Sequence, residues 1–182
     1  AITTGGLNTL IGGLAGDAIT TGNSNVSVGY KSLSAEVAGD RNTALGFQAL
    51  SSQTNPSSLD VYNTAVGYNA GFAITTGLNN TLIGGLAGDA LQAASDNVAV
   101  GFEALTTETG GQNNVAIGPR TLQSQINASG NIYNTAVGSS AGRAVTTGIK
   151  NTLIGGLAGD ALNTGSYNVA VGMQALSADT KG

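Results

Sequence analysis

The string NTLIGGLAGDA stands at residues 8–18 and returns at 80–90 and 151–161, so the chain has an internal period of 71–72 residues. A shorter period lies inside this one. The core x-N-[TV]-[ALS]-[ILV]-G occurs ten times, and seven of the nine spacings between its glycines are 17 residues. The chain is therefore a tandem array of ten short units.

The length and composition of the unit indicate a β-solenoid. Seventeen residues are too few for a helix-turn-helix repeat, and frequent glycine costs about 1 kcal/mol per residue in a helix. The N-T-A-V-G segments are short, rich in β-branched residues and bounded by Gly and Asn, as strands are. We therefore predict an all-β fold, a parallel β-solenoid (β-helix or β-roll) of about ten 17-residue coils, numbered 1–10 in chain order.

Every unit carries an asparagine and a glycine at the same two places. We expect the asparagines to form a structural ladder of side-chain amides from coil to coil, rather than a ligand site; they are Asn8, Asn25, Asn42, Asn63, Asn80, Asn97, Asn114, Asn134, Asn151 and Asn168. We interpret the core glycines as turn residues; they are Gly12, Gly29, Gly46, Gly67, Gly84, Gly101, Gly118, Gly138, Gly155 and Gly172. A second row of glycines, including Gly22, Gly39 and Gly111, is expected to adopt positive φ in further turns.

The fourth residue after each core glycine is either Gly or Leu, and the two kinds of unit alternate in pairs. Gly-type coils contain Gly16, Gly71, Gly88, Gly142 or Gly159, and Leu-type coils contain Leu33, Leu50, Leu105, Leu122 or Leu176. Four coils make one super-repeat, at about 8–79, 80–150 and, in part, 151–182. We interpret residues 1–182 as a single repetitive segment and expect it to be a fragment of a longer fibre.

The strand core predicts two faces with few charged residues. We expect the Thr/Val and Ile/Leu/Val face to fill the coil, and the small Ala of the other face to lie against another backbone. A strand that is apolar on both faces is buried on both faces, so one stack of coils leaves a surface to be covered. The expected cover is self-association as a homotrimer, with end-to-end stacking as a further contact; the alternative is a monomeric solenoid.

Composition excludes several functions. The chain has no His and no Cys, and 9% of its residues are charged, so nucleophilic triads and the usual zinc sites are absent. Six scattered Lys and Arg make no nucleic-acid footprint, and no apolar run is long enough for membrane insertion. No two acids share a position in neighbouring coils, as a polysaccharide-cleaving pair would require. We predict no enzyme activity, no cofactor and no metal.

The GGLAGDA segment resembles the calcium-binding nonapeptide G-G-x-G-x-D, but its third glycine is displaced by one residue. The motif also returns only after 71–72 residues. Asp17, Asp89 and Asp160 are therefore expected to cap turns, with calcium binding as the alternative.

Two insertions, 51–62 and 123–133, interrupt the regular spacing and are expected to project from one edge of the rod. Loops on a rigid scaffold often carry recognition; the alternative is a bulge that adjusts the twist. The predicted surface recognition residues are Leu59, Tyr62, Ile132 and Tyr133. A separate aromatic row directly after the core glycines is expected to stack and seal a corner, with sugar binding as the alternative; it holds Tyr30, Phe47, Tyr68 and Phe102.

The units NTALGFQAL (42–50), NTAVGYNAG (63–71), NVAVGFEAL (97–105) and NVAIGPRTL (114–122) resemble the tandem repeats of phage tail fibres and related surface fibres. They are also similar to the heads of trimeric autotransporter adhesins, whose left-handed parallel β-roll uses shorter units with an N-S-V-A-I-G strand. The resemblance covers nearly the whole chain through one short motif. It implies a trimeric, extracellular, non-enzymatic shaft or adhesive segment.

Taken together, these features predict a structural or adhesive shaft segment of a phage tail fibre or a similar extracellular appendage. Its location would be a virion tail fibre or a cell surface, and its partners would be its own copies and a host-surface glycan. The alternatives are a trimeric bacterial surface adhesin head and an ice- or carbohydrate-binding solenoid.

Overall fold

The chain folds as a parallel β-solenoid of about ten coils in a computed structural model that describes residues 2–127 and 129–181. In chain order the strands are β1 (Thr9–Ile11), β2 (Val26–Val28), β3 (Gly39–Asp40), β4 (Thr43–Leu45), β5 (Leu59–Asp60), β6 (Thr64–Val66), β7 (Thr81–Ile83), β8 (Val98–Val100), β9 (Gly111–Gln112), β10 (Val115–Ile117), β11 (Gly130–Asn131), β12 (Thr135–Val137), β13 (Thr152–Ile154) and β14 (Val169–Val171). The ten three-residue strands form one parallel sheet, while β3 pairs with β5 and β9 with β11 beside the insertions. No helix occurs among the described residues.

The core glycines stack directly on one another where each strand ends. Their φ angles lie between +124° and +141°, a region that glycine adopts readily. A Cβ atom on Gly46 would lie 2.3 Å from the carbonyl oxygen of Gly67 in the next coil, and one on Gly84 would lie 2.5 Å from that of Gly101. Backbone angle and close approach therefore both require glycine at this position.

The second row of glycines is required by packing alone. Gly22, Gly39 and Gly111 do not have positive φ, so the prediction of positive φ is wrong for them. A Cβ atom on Gly22 would lie 2.6 Å from the carbonyl oxygen of Gly39, and one on Gly111 would lie 2.7 Å from Oε2 of Glu108. These glycines leave room for a neighbouring backbone or side chain.

The two faces of the strands are the reverse of the prediction. The central residue of each strand points inward, and Ala44, Ala65 and Ala99 are 0% exposed. The Thr/Val and Ile/Leu/Val residues on either side of it point outward, and Ile11 is 59% exposed. The turns of the coil also direct apolar side chains such as Leu50 into this interior. A small residue at the strand centre leaves space for these side chains.

The asparagines share the inward face and form the predicted ladder. Asn97 shows the pattern: its Nδ2 donates to Oδ1 of Asn80 at 3.2 Å and to the carbonyl of Gly111 at 3.0 Å. Its Oδ1 accepts the backbone N–H of Asn114 at 3.0 Å. The amides therefore satisfy one another and buried backbone groups, which is the condition for burying polar side chains.

Gly-type and Leu-type coils fill the same interior in different ways. A Cβ atom on Gly71 or on Gly88 would lie 2.8 Å from a methyl carbon of Leu82, the strand centre of coil 5. One leucine therefore occupies the space beside two successive glycines. In a Leu-type coil the strand centre is small, as at Ala99, and Leu105 enters the interior from the turn. The four-coil super-repeat is thus a packing period of the core.

Candidate interaction face

Two rows of outward-pointing side chains run the length of the ten-stranded sheet, and we call them together the outer face. The first row holds the first residue of each strand: Thr9, Val26, Thr43, Thr64, Thr81, Val98, Val115, Thr135, Thr152 and Val169. The second row holds the third residue: Ile11, Val28, Leu45, Val66, Ile83, Val100, Ile117, Val137, Ile154 and Val171. All Lys, Arg, Asp and Glu residues of the chain lie outside these two rows.

The outer face carries fourteen aliphatic residues and six threonines, and it is open to solvent. Leu45 and Ile83 in its second row are 44% and 40% exposed. The strands are in register, with Thr81 opposite Val98 and Ile83 opposite Val100, so each row is straight, with about 4.8 Å between neighbours. No pocket is found in the surface of the described residues. A flat, periodic face of this kind suits a large partner rather than a small molecule.

Three aromatic residues stack one coil above another, two residues after the second row. The ring centroids of Tyr30 and Phe47 are 5.5 Å apart, and those of Phe47 and Tyr68 are 5.4 Å apart. The predicted stacking is confirmed for these three, while the Phe102 ring lies under the guanidinium of Arg120, 6.0 Å from its centroid. Stacked rings cover part of one another's faces, and the three side chains remain 42–57% exposed, so they form an aromatic ladder along the surface of the rod.

The first insertion is fixed at its base by a buried glutamate that sequence reasoning did not identify as important. Glu36 is fully buried, and its Oε1 accepts the backbone N–H groups of residues 37–39 and of Asn55 at 2.8–3.1 Å. Its Oε2 accepts Nε2 of Gln53 at 2.7 Å and Nδ2 of Asn55 at 2.8 Å. Six donors therefore satisfy one carboxylate and hold the start of the insertion.

Glu108 repeats this arrangement 72 residues later. Its Oε1 accepts the backbone N–H groups of residues 109–111 and of Asn127 at 2.9–3.1 Å. Its Oε2 accepts Nε2 of Gln125 at 2.8 Å and Nδ2 of Asn127 at 3.2 Å. Gln125 in turn accepts a hydrogen bond from Asn134 of the ladder at 2.8 Å. The signal for both sites is present in the sequence: Leu-type coils carry an acid or Gln where Gly-type coils carry Ile, Leu or Val.

Three of the four predicted recognition residues face solvent. Leu59, Tyr62 and Tyr133 are exposed, but Ile132 is 4% exposed. Ile132 lies inside the rod, as does Val61 at the equivalent place in the first insertion, so its assignment to a recognition surface is wrong. In sequence, the tyrosine that follows each of these residues immediately precedes an asparagine of the ladder.

The aspartates of the GGLAGDA segments do not gather into an ion site. Asp89 accepts a hydrogen bond from the Thr106 hydroxyl in the next coil. Burial raises the pKa of Asp89 above its ordinary value, and the hydrogen bond from Thr106 partly opposes this. In the described part of the chain, no three Asp, Glu, His or Cys side chains lie together as metal ligands would. Asp89 therefore links two coils through a hydrogen bond.

Comparison of the chain with models of known protein families, with curated proteins and with solved structures gives no match. Residues 2–127 and 129–181 include no helix that is long and apolar enough to cross a membrane.

Proposed function

We propose that this chain is a shaft segment of a virion tail fibre or a similar extracellular fibre, in which three copies pack their outer faces around a common axis. The rod supplies length and rigidity, and the copies cover one another's aliphatic rows. The observation that carries the proposal is the outer face, where twenty aligned side chains include no charge.

The size of the outer face supports self-association of the chain. Ten strands about 4.8 Å apart, each three residues of about 3.3 Å long, present a projected area of roughly 430 Å². The largest apolar patch on a typical monomer covers about 300–600 Å² and is often functional. Three such faces meeting at one axis would bury roughly 1,300 Å² in total, which is about 430 Å² for each of the three pairs of copies, so the assembly depends on all three contacts forming together.

The resemblance of the repeat units to phage tail fibres and to trimeric adhesin heads supports the same assembly and an extracellular location. It rests on the Asn, Gly and apolar positions of the strand core, which in this chain build the ladder, the glycine stack and the outer face. The proposed shaft role requires only packing within each copy and between copies.

Analytical ultracentrifugation of the chain and of two variants tests the proposal. We expect a particle of three times the 17.8 kDa chain mass. Ile83→Asp should shift it towards monomer, because three carboxylates would meet in an apolar contact and each costs several kcal/mol when buried unpaired. Ala93→Asp, at an exposed turn of the same coil, is the matched control and should leave the mass unchanged. A stable monomer of the unmodified chain would contradict the proposal.

A second role, contact with host-surface glycans, is supported by the exposed Tyr62 and Tyr133. A tyrosine ring offers a sugar an apolar face and a polar hydroxyl, and both rings follow insertions anchored by buried glutamates. One face of the Tyr62 ring lies under the Arg41 guanidinium, 5.6 Å from the centroid, and its hydroxyl donates to Asp60 at 3.3 Å, so a sugar would use the other face of that ring. Binding of purified surface polysaccharides, measured by calorimetry, should weaken in Tyr62→Asn and in Tyr133→Asn. Asparagine suits this backbone, since Asn79 has the same positive φ at the equivalent position. Binding by both variants that is as tight as binding by the parent chain would contradict this role.

A further inference from the structure

The residue before each asparagine of the ladder forms a row of its own along the rod, which we call the corner row. Its members are Leu7, Ser24, Arg41, Tyr62, Asn79, Asp96, Asn113, Tyr133, Lys150 and Tyr167. All ten have φ angles between +55° and +63°. The backbone N–H of Lys150 donates to the carbonyl of Ile132 at 2.8 Å, and that of Tyr167 to the carbonyl of Ile149 at 3.0 Å. Successive side chains of the corner row therefore leave a bonded backbone about 4.8 Å apart.

The corner row occurs in two versions, one beside each insertion. Coils 3–6 present Arg41, Tyr62, Asn79 and Asp96, and coils 7–10 present Asn113, Tyr133, Lys150 and Tyr167. The two versions are built on the same backbone and differ in charge.

The first version has a neutralised cation and the second has an unpaired one. Arg41 forms an ion pair with Asp60 of the first insertion, so the first version keeps the negative charge of Asp96. The equivalent pair beside the second insertion is uncharged, because Nδ2 of Asn113 donates to Oδ1 of Asn131 at 2.9 Å. The second version therefore keeps the positive charge of Lys150.

Lys150 also lies in a part of the chain that is rich in cations. Residues 109–159 include Arg120, Arg143 and Lys150 but no Asp or Glu, although the whole chain has a net charge of −4. The ion pairs of the described residues are those of Arg41 and Arg120. Nζ of Lys150 instead donates to Oη of Tyr167 at 3.2 Å and lies 5.0 Å from the centroid of that ring. An ammonium group has three donors, so Lys150 keeps donors for an anion.

We propose that Tyr133, Lys150 and Tyr167 form a binding site for a sugar that carries a negative charge. The inference rests on the proposed contact with host-surface glycans and assigns that contact a ligand class. Tyr133 and Tyr167 are 49% and 69% exposed and lie two coils, about 9.6 Å, apart with Lys150 between them. The rings offer apolar faces to sugar carbons, and Lys150 offers charge-assisted hydrogen bonds to a carboxylate or sulfate. The Tyr167 hydroxyl accepts from Lys150 and can donate its own proton to the same ligand.

Calorimetry at low ionic strength with matched charged and uncharged probes tests the proposal. The probes are an oligosaccharide of galacturonic acid with its methyl ester, and sulfated dextran with unmodified dextran. We expect the charged probe of at least one pair to bind more tightly than its uncharged partner, and added salt to weaken that binding. Preference within only one pair identifies the anion and supports the proposal.

Lys150→Asn removes the charge without disturbing the backbone, since Asn79 holds the equivalent position four coils earlier with φ of +57°. The affinity for the charged probe should fall about three- to fivefold, and the affinity for the uncharged probe should not change. Lys31→Gln is the matched control, because it removes one lysine beside Tyr30 and Gln48 holds the equivalent position in the next coil. It should bind as the parent chain does.

Tyr167→Asp copies Asp96 of the first version and places a carboxylate beside Lys150. We expect it to remove the preference for the charged probe. Equal affinity of the parent chain for charged and uncharged probes, or equal losses in Lys150→Asn and Lys31→Gln, would overturn the proposal while leaving the glycan contact in place. Absence of binding by every probe would instead overturn the glycan contact, and this inference with it.

Discussion

Coils 4 and 5 and coils 6 and 7 carry the same backbone around different interiors. In the Gly-type pair, the side chains of Leu82 and Leu91 fill the space that a Cβ atom on Gly88 would need. The seventh position after the core glycine holds Ile74 or Leu91. In the Leu-type pair, a leucine replaces that glycine, and the seventh position holds a buried glutamate or glutamine. Both kinds of coil keep the glycine stack and the asparagine ladder. The coil is therefore set by groups that contact the next backbone, while the interior accepts different chemistry if its volume is filled and its polar groups are bonded.

The largest expected effect breaks the polar interior of the Leu-type pair. Glu108→Ala leaves six donors without their acceptor, so we expect the free energy of unfolding in urea to fall by about 3 kcal/mol or more. The free energy of unfolding of Glu108→Gln should lie between those of Glu108→Ala and the parent chain. The amide keeps the shape of the carboxylate but turns an NH2 group towards donors. Asp96→Asn, at an exposed turn, is the control and should change stability by less than about 0.5 kcal/mol. A loss at Glu108→Ala no larger than the control's would contradict the role of the buried carboxylate.

A smaller effect is expected from replacing a glycine in the apolar interior of the Gly-type pair. In Gly88→Ala the new Cβ atom would lie 2.7 Å from Cδ1 of Leu91 and 2.8 Å from Cδ2 of Leu82, and the φ of Gly88 is +56°. We expect a loss of about 1–3 kcal/mol from over-packing and backbone strain together. Leu82→Ala alone should cost about 2–5 kcal/mol. The double variant should lose less than the sum by about 0.5–1 kcal/mol, because the shortened Leu82 side chain removes one of the two close contacts while the Leu91 contact and the positive φ remain.

Leu153 is the matched control for this coupling, since it occupies the same place four coils further along. Gly88→Ala combined with Leu153→Ala should be additive within about 0.5 kcal/mol. Equal coupling to both leucines would mean that the shared cavity is not the cause.

The smallest expected effect concerns Asp89, in coil 5. Burial raises the pKa of this carboxyl above 3.8, so the folded chain holds the proton more tightly than the unfolded chain. The stability that this group contributes is then fully present below pH 3.8 and is lost as pH rises through the folded pKa. Asp89→Asn keeps an acceptor for Thr106 and should gain stability relative to the parent as pH rises. Unfolding curves at acid and neutral pH measure the free energy of unfolding of both chains. If the stability of Asp89→Asn relative to the parent falls as pH rises, the prediction is contradicted.

The sequence predicts the coil well, because the asparagine ladder and the close approach of backbones at the core glycines recur in every unit and select the same residue each time. It assigns the strand faces wrongly for a physical reason. The small Ala44 and Ala65 do indicate a close approach, but the surface that approaches them is the interior of their own coil and not a neighbouring copy. Thr, Val and Ile fit an interior equally well by composition, so the narrowness of the coil decides the outcome.

The buried glutamates show another limit. The residue seven places after the core glycine predicts only that a polar side chain replaces an apolar one in Leu-type coils. It does not predict that four backbone N–H groups converge on that side chain. That convergence depends on how the insertion folds back, since Asn55 supplies one backbone and one side-chain donor from 19 residues away. The same folding decides that Ile132 is buried while Tyr133 beside it is exposed.

The stack of core glycines has a mechanical consequence. Each 17-residue coil lengthens the rod by about 4.8 Å, a distance that an α-helix spans with about three residues. Most of the chain therefore goes into the cross-section, which resists bending, rather than into length. Along the axis, the core glycines from Gly12 to Gly155 each lie against the backbone of the next coil, so compression along this row meets peptide groups and not side chains that could yield. The length of the rod is then counted in whole coils, and each added super-repeat extends it by about 19 Å.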